Sequence, residues 1–229
     1  MRKILITIIA STLVSASAYA GGVGIGVTGS FLKIDGNGTE TTTAGDVGGG
    51  AANTNTASAS NDVVIGKAYI EYSLEDVSYA ASGITFGVEA IPGGSDVSDK
   101  TKTRSETAED QAGSGSSGSV TYSANAEVEN YVNYYVEIPL YASVYVKAGM
   151  AEMDVITNED ADHHGSYGNT SLDGTNLGIG IKGTSGNYQW KLAYETVDFD
   201  TLNLTSTTSN KIKADLDTEE LNFSVGYVF

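Results

Sequence analysis

The sequence predicts an all-β protein, an antiparallel up-and-down transmembrane β-barrel of about eight strands. Three observations lead to this fold class. Apolar residues alternate with small or polar residues in several short segments, the connections between these segments alternate between long and short, and the chain begins with a segment typical of an export signal. Together they favour strands over helices and a membrane location over a soluble one.

The beginning of the chain is predicted to be a secretory signal peptide. Arg2 and Lys3 precede the apolar run 4–10, and Ala18, Tyr19 and Ala20 form an A-x-A cleavage site. The apolar run is shorter than the ~20 residues that an uncleaved transmembrane helix needs. We therefore expect a signal peptide at residues 1–20 and an outer-membrane β-barrel domain at residues 21–229.

The composition excludes several classes of protein. The 229 residues include 12 Lys and Arg against 29 Asp and Glu, and the resulting net charge of −17 argues against nucleic acid as a partner. With 0 Cys, neither a disulfide framework nor a zinc-thiolate site can form. The 28 Gly and 14 Tyr suit a barrel, which tolerates Gly where strands crowd and places aromatic rings at membrane interfaces.

The alternating segments and their connections follow a regular order. Strands are predicted at 23–31, 64–73, 84–90, 130–138, 144–151, 176–182, 189–195 and 221–229. Long polar connections are predicted at 35–62, 95–129, 157–173 and 198–220, and short ones at 74–83, 139–143 and 183–187. This order predicts long extracellular loops, short periplasmic turns and both termini in the periplasm. A soluble lipocalin-like barrel, the alternative, has no reason to place its long loops at one end.

The last predicted strand carries the most regular alternation. Its large apolar side chains share one face: Leu221, Phe223, Val225, Tyr227 and Phe229. At these residues the chain resembles the small bacterial outer-membrane β-barrels of the porin-like and opacity-protein-like kind, whose last strand ends in Phe and is read by the barrel-assembly machinery. The resemblance implies that Tyr227 and Phe229 form an assembly signal.

The same resemblance implies a location, partners and a role. We expect a monomer in the bacterial outer membrane, in contact with lipid and lipopolysaccharide, which meets the barrel-assembly machinery and periplasmic chaperones during biogenesis. The implied role is non-enzymatic and needs no cofactor: envelope integrity, surface interaction or limited passage of small solutes. The alternatives are a narrow porin-like channel and a lipid A modifying outer-membrane enzyme.

Charged residues of both signs fall on the predicted inward faces of the strands. They are Lys67, Glu71, Glu89, Glu137, Lys147, Lys182, Lys191 and Glu195. An interior of about eight strands is just wide enough for side chains to fill it, and an unpaired charge at low dielectric costs several kcal/mol. We therefore expect these residues to pair in a polar plug. In the channel alternative the same residues would set ion selectivity.

Three polar motifs were weighed as sites. His163 and His164 lie among acidic residues and could bind a divalent metal weakly, but adjacent histidines on an extended chain point apart. His164 and Ser166 have the His-x-Ser spacing of outer-membrane lipid A deacylases, although here the pair falls in a Gly-rich loop. The segment 35–40 resembles the start of a calcium loop but lacks its Gly and distal Glu, so a turn is expected. We predict no metal site, no cofactor and no catalytic residue.

Overall fold

The computed structural model describes residues 21–41, 54–74, 82–93, 95–96, 102–108, 118–160, 166–207 and 209–229. The predicted signal peptide at residues 1–20 lies outside the described residues, and so do His163 and His164. In the described ranges no helix is long and apolar enough to cross a bilayer.

The described chain forms eleven β-strands. Their bounds are β1 Gly21–Thr41, β2 Thr54–Leu74, β3 Thr85–Ala90, β4 Ser95–Asp96, β5 Lys102–Ala108, β6 Gly118–Tyr141, β7 Val144–Asp160, β8 Thr170–Ser185, β9 Tyr188–Phe199, β10 Leu202–Thr205 and β11 Lys211–Val228. These bounds contain all eight predicted strands to within a residue at either end.

The strands form one antiparallel sheet that closes on itself. Hydrogen-bonded neighbours follow the order β1, β2, β3, β6, β7, β8, β9 and β11, and β11 pairs back with β1. β4 and β5 pair with β6 on the side of β3, and β10 pairs with β11 on the side of β9. The strands therefore occupy eight positions around a closed barrel. The predicted all-β, eight-position, up-and-down barrel is confirmed.

The alternation of side chains decides what faces the lumen. In β1, Ser30 is 0% exposed and its neighbour Phe31 is 66% exposed. Along β11 the same alternation buries Asn222 and exposes Phe223. Since successive side chains of a strand point to opposite faces, the polar lumen and the apolar outer face both follow from the period of the sequence.

Short turns mark one end of the barrel. β6 and β7 connect through Ala142 and Ser143, and β8 and β9 connect through Gly186 and Asn187. Gly186 has a φ of +60°, a left-handed conformation that Gly reaches without steric cost. The backbone N–H of Val228 donates to the carbonyl of Asn187 at 2.7 Å, so β11 also finishes at this end.

The strands run further than predicted at the opposite end. The predicted loops 35–62, 95–129, 157–173 and 198–220 are too long, because β1, β2, β4 to β8, β10 and β11 reach into them. The turn expected at 35–40 is also wrong, since these residues belong to β1, where Asp35 pairs with Ser60. The polar segments carry no apolar period. Once the membrane part sets the register, however, each further residue pair extends the hydrogen-bond ladder without a new turn. Thr residues in these segments also favour an extended backbone, so the strands continue.

The length of the strands carries the sheet beyond a bilayer. β1 and β2 contain 21 residues each, which at about 3.3 Å per residue and a tilt of about 45° reach roughly 50 Å along the barrel axis. The apolar band of an outer-membrane barrel is only about 25 Å tall. Roughly half of the β1–β2 pair therefore stands outside the membrane, at the end opposite to the short turns.

Candidate functional site

The lumen near the short turns contains a buried group of ion pairs around Lys191. Its ammonium nitrogen lies 2.5 Å from a carboxylate oxygen of Glu71 and 2.6 Å from one of Glu137. Lys182 reaches the other oxygen of Glu137 at 2.9 Å. Gln189 adds an amide donor at 2.7 Å from Glu71. Four different strands, β2, β6, β8 and β9, are thus joined across the lumen.

A second group of ion pairs lies further along the lumen, around Lys67 and Lys147. Lys67 pairs with Glu220 and, at 3.3 Å, with Glu89. Lys147 pairs with Glu195 at 2.8 Å and lies 3.7 Å from Glu89. All five side chains are at most 5% exposed. Each carboxylate therefore has a lysine partner inside the barrel.

Tyr135 connects the two groups into one network. Its hydroxyl donates to Glu71 at 2.9 Å, and the ammonium of Lys147 lies 4.3 Å from the centre of its ring. A cation over an aromatic face is attracted by the ring quadrupole, so the ring stabilises a charge of the second group while the hydroxyl stabilises one of the first. The network thus extends continuously through the middle of the lumen.

Tyrosine rings close the remaining space by lying against glycines of the neighbouring strand. The register pairs Tyr69 with Gly26 in β1, Tyr135 with Gly87 in β3, and Tyr145 with Gly180 in β8. A β-carbon at Gly180 would come 2.7 Å from the hydroxyl oxygen of Tyr145. Gly at these positions leaves room for a flat ring that a larger residue would displace.

The structure places all eight predicted interior residues in this network. They are Lys67, Glu71, Glu89, Glu137, Lys147, Lys182, Lys191 and Glu195. Lys182 is the most exposed of them, with 27% of its side chain accessible. Sequence reasoning missed Glu220 because residues 198–220 were expected to form a loop. Its position two residues before Asn222, in the alternation that continues through β11, was the available signal.

The outer face carries apolar and aromatic side chains where the lumen carries charges. Tyr227 packs edge-on against Tyr188 and Phe229, with ring centres 5.5 and 5.1 Å apart. This aromatic cluster lies beside the short turns, while Phe31 and Leu221 are exposed halfway along the barrel. The recognition of Tyr227 and Phe229 by the assembly machinery stays a prediction.

A barrel with buried lysines and exposed aromatic rings is inverted relative to a water-soluble one. Water would favour the charges outside and the rings inside, whereas lipid stabilises this arrangement, and a closed ladder leaves no backbone groups unsatisfied in the bilayer. The protein has the side-chain arrangement of a small transmembrane β-barrel. Its lipid-facing band ends where the outward residues become acidic, at Asp62 and Glu219.

Solved structures of similar fold include three outer-membrane proteins. Neisserial surface protein A is 10% identical, with 87% of this chain and 97% of that chain covered and a TM-score of 0.38. Ail, the attachment invasion locus protein of Yersinia pestis, is 10% identical, with coverages of 88% and 99% and a TM-score of 0.38. The outer membrane protease OmpT from Escherichia coli is 9% identical, with coverages of 91% and 97% and a TM-score of 0.39. No family model matches this sequence, and neither does the sequence of any curated protein.

The described residues bring no metal-binding cluster together. They contain no group of three His, Cys, Asp or Glu side chains arranged to hold a metal ion. Of the His-x-Ser pair, only Ser166 is described. Its backbone N–H donates to the hydroxyl oxygen of Thr207, and its carbonyl accepts from the backbone N–H of Thr207. The absence of an enzymatic activity stays a prediction.

Three carboxylates lie side by side on the outer face, just beyond the lipid-facing band. Asp217 pairs with Asp198 across β9 and with Asp35 across β1. Lys33 compensates Asp35 at 2.6 Å and lowers the pKa of that carboxyl. Partial burial and the neighbouring Asp198 carboxylate raise the pKa of Asp217. Like charges directly opposite one another in a sheet are destabilising.

We therefore expect Asp217→Asn to stabilise the barrel slightly at pH 7, by a few tenths of a kcal/mol, because the site is exposed and screened by water. Because the pKa of Asp217 is raised in the folded state, protonation of this carboxyl favours folding. Its contribution to the free energy of unfolding is present at low pH and is lost as the pH rises through the folded-state pKa. The advantage of the variant should therefore vanish near pH 3 and shrink in ~1 M salt. Urea titration of the folded fraction measures it, and an advantage that persists at pH 3 would contradict the electrostatic cause.

Proposed function

We propose that this protein is a non-enzymatic outer-membrane barrel, closed to solutes, that presents an acidic β-sheet extension at the cell surface. The observation that carries the proposal is the continuous ion-pair network across the lumen. Its role is then mechanical and interfacial: the membrane part anchors the chain, and the extension is the part that meets the surroundings.

The closure of the lumen has an energetic basis. Lys67, Lys147 and Lys191 each bridge two carboxylates from different strands. Opening a path for ions requires several of these pairs to separate, and each separated charge costs several kcal/mol at low dielectric unless water replaces its partner. An eight-position barrel has little room for that water.

The surface role has a chemical basis in the extension. Polar and charged side chains replace apolar ones on its outer face from Asp62 and Glu219 upward, and the whole chain has a net charge of −17. Such a surface stays hydrated and repels anionic polymers at low salt, while it attracts cationic partners. Envelope integrity and surface interaction both fit these properties.

A narrow channel is the second candidate. The network contains four lysines and five glutamates, Glu220 included, so its net charge is negative. If pairs separated, the lumen would favour cations.

We expect the purified protein to show no steady conductance in a planar bilayer. A triple variant, Glu71→Ala, Glu137→Ala and Lys191→Ala, removes the first group of ion pairs and leaves no uncompensated lysine except Lys182, so brief or small currents should appear. The matched control is Lys33→Ala, which removes a charge outside the lumen. Steady currents of general-porin size from the unmodified protein would overturn the closed lumen. Weak cation-selective openings of the unmodified protein would favour the narrow channel.

Cysteine labelling tests the orientation, since the chain has 0 Cys of its own. We expect a membrane-impermeant maleimide to label Ser58→Cys in intact cells, because Ser58 is exposed on the extension of β2. Ser185→Cys, exposed at a short turn, should react only after the outer membrane is permeabilised. Labelling with the opposite preference would reverse the proposed orientation.

A further inference from the structure

The lumen changes character beyond the second group of ion pairs. Its walls there are apolar and surround a cavity of about 50 Å³ whose floor is Glu220. We call this cavity the apolar chamber. Its apolar lining consists of Leu32, Ile34, Val63, Ile65, Ile91, Val128, Met153, Phe199 and Leu216. A barrel closed only by charges would not need such a lining, so the chamber calls for a separate explanation.

Two hydroxyl groups in the chamber have no hydrogen-bond partner among the described residues. They are the phenol oxygen of Tyr131 and the side-chain oxygen of Thr218. Both residues line the chamber, and they are only 6% and 7% exposed. An unsatisfied buried polar group costs about 1–3 kcal/mol. Two such groups at one apolar cavity therefore point to a bound molecule that supplies the missing hydrogen bonds.

The charges around the chamber decide which polar group fits. Glu220 is already paired with Lys67, and Lys67 also serves Glu89. The floor therefore offers no free cation for an anionic head group, and Glu220 would repel one. It offers no free carboxylate for a cation either. An uncharged group that both donates and accepts a hydrogen bond, such as an alcohol, matches the two hydroxyls.

Beside the chamber, β2 has a partner strand on one side only in the described part of the chain. The ladder between β2 and β3 ends at Ala68 and Ala90, and in the described part of the chain β4 and β5 pair with β6 rather than with β2. Val64, beyond the end of this ladder, is 72% exposed on the outer face. Among the described strands, residues 63–66 pair only with residues 29–32 of β1.

We propose that the apolar chamber is a binding site for a small uncharged amphiphile, whose hydroxyl group is bound by Tyr131 and Thr218 and whose apolar part contacts the aliphatic lining. The size of the cavity suits a molecule of only a few heavy atoms, since one water needs about 10–15 Å³ of such space. This site lies beyond the ion-pair network and does not depend on conduction through it.

The methionines provide a matched pair of reporters for the test. Met153 lines the chamber, whereas Met150 is 70% exposed on the lipid-facing side. With ¹³C-methyl methionine in nanodiscs, titration with 1-butanol should shift the Met153 methyl resonance saturably, while Met150 reports only partition into the lipid. 1-Fluorobutane, which has the same chain and no donor, should bind at least about fivefold more weakly.

The isosteric variants Thr218→Val and Tyr131→Phe assign the hydroxyl contacts. Each should weaken butanol binding by about fivefold to tenfold, and the double variant should bind butanol and fluorobutane equally. A Met153 resonance that does not respond would overturn the site and leave a chamber that holds water only. Equal binding of both probes by the unmodified protein would overturn the role of the hydroxyls, and parallel shifts of Met150 and Met153 would show partition alone. The unmodified protein decides these outcomes even if a variant fails to fold.

Discussion

Replacement of Lys191 by methionine is expected to lower the free energy of unfolding by about 3–5 kcal/mol. The ammonium of Lys191 is the shared partner of Glu71 and Glu137, at 2.5 and 2.6 Å. Methionine has a similar volume and no charge, so the variant leaves the packing nearly intact while Glu71 loses the only lysine that it pairs with in the described part of the chain. Urea unfolding in detergent, followed by the gel mobility of the folded barrel, measures the loss.

Lys182→Met is the matched control for this variant. Lys182 pairs with the same Glu137 but lies at the turn end with 27% of its side chain exposed, and water can replace it. We expect a loss of about 1 kcal/mol or less. Adding Glu71→Gln and Glu137→Gln to Lys191→Met should recover part of the stability, since the uncompensated charges are then gone. Equal losses for Lys191→Met and Lys182→Met would mean that water already screens the network.

Replacement of Gly180 by alanine is expected to cost about 1–3 kcal/mol. The added β-carbon would lie 2.7 Å from the hydroxyl oxygen of Tyr145 and 2.8 Å from the backbone carbonyl of Leu192. Tyr145 is 1% exposed and cannot swing away, and the carbonyl belongs to the ladder of β9. The strain must therefore be taken up by the barrel wall. The same urea titration detects it as an earlier midpoint.

Gly66→Ala provides the comparison on the other face. Gly66 points outward from β2, and an added β-carbon there meets no atom within 4 Å. Because alanine loses less backbone entropy than Gly on folding, this variant should be neutral or stabilised by up to about 1 kcal/mol. If both glycine variants behaved alike, backbone entropy rather than the tyrosine contact would explain the Gly content of the inward faces.

The two pairs of variants test two different physical causes of the closed lumen. Lys191 tests whether buried charges hold the strands together, and Gly180 tests whether the aromatic rings fill the space between them. Lys191→Met and Gly180→Ala change the inward face alone, whereas the comparison variant Gly66→Ala changes the outer face. A protein that tolerated both changes would have a wet, loosely packed lumen, which would favour the channel alternative.

The sequence by itself determined the architecture of the membrane part and the face on which each charge lies. A period of two residues indicates a strand and puts Lys67, Lys147 and Lys191 on its polar face, and the predicted membrane location turns that face inward. The alternation of long and short connections likewise determined the closed, up-and-down order. The lumenal placement of all eight predicted charges required no knowledge of their partners.

The tertiary structure decided how far the strands extend, which charges pair and where the lumen becomes apolar. The polar segments 35–41 and 54–62, which pair at one end of β1 and β2, carry no alternation of apolar residues, and they become strands because a neighbouring strand in register continues the ladder. Glu220 joins Lys67 across 153 positions of sequence, and Tyr131 of β6 and Thr218 of β11 line one cavity because the sheet closes into a barrel. Such contacts depend on register and closure, which bring together side chains from strands distant in sequence, and a local period contains no information about either.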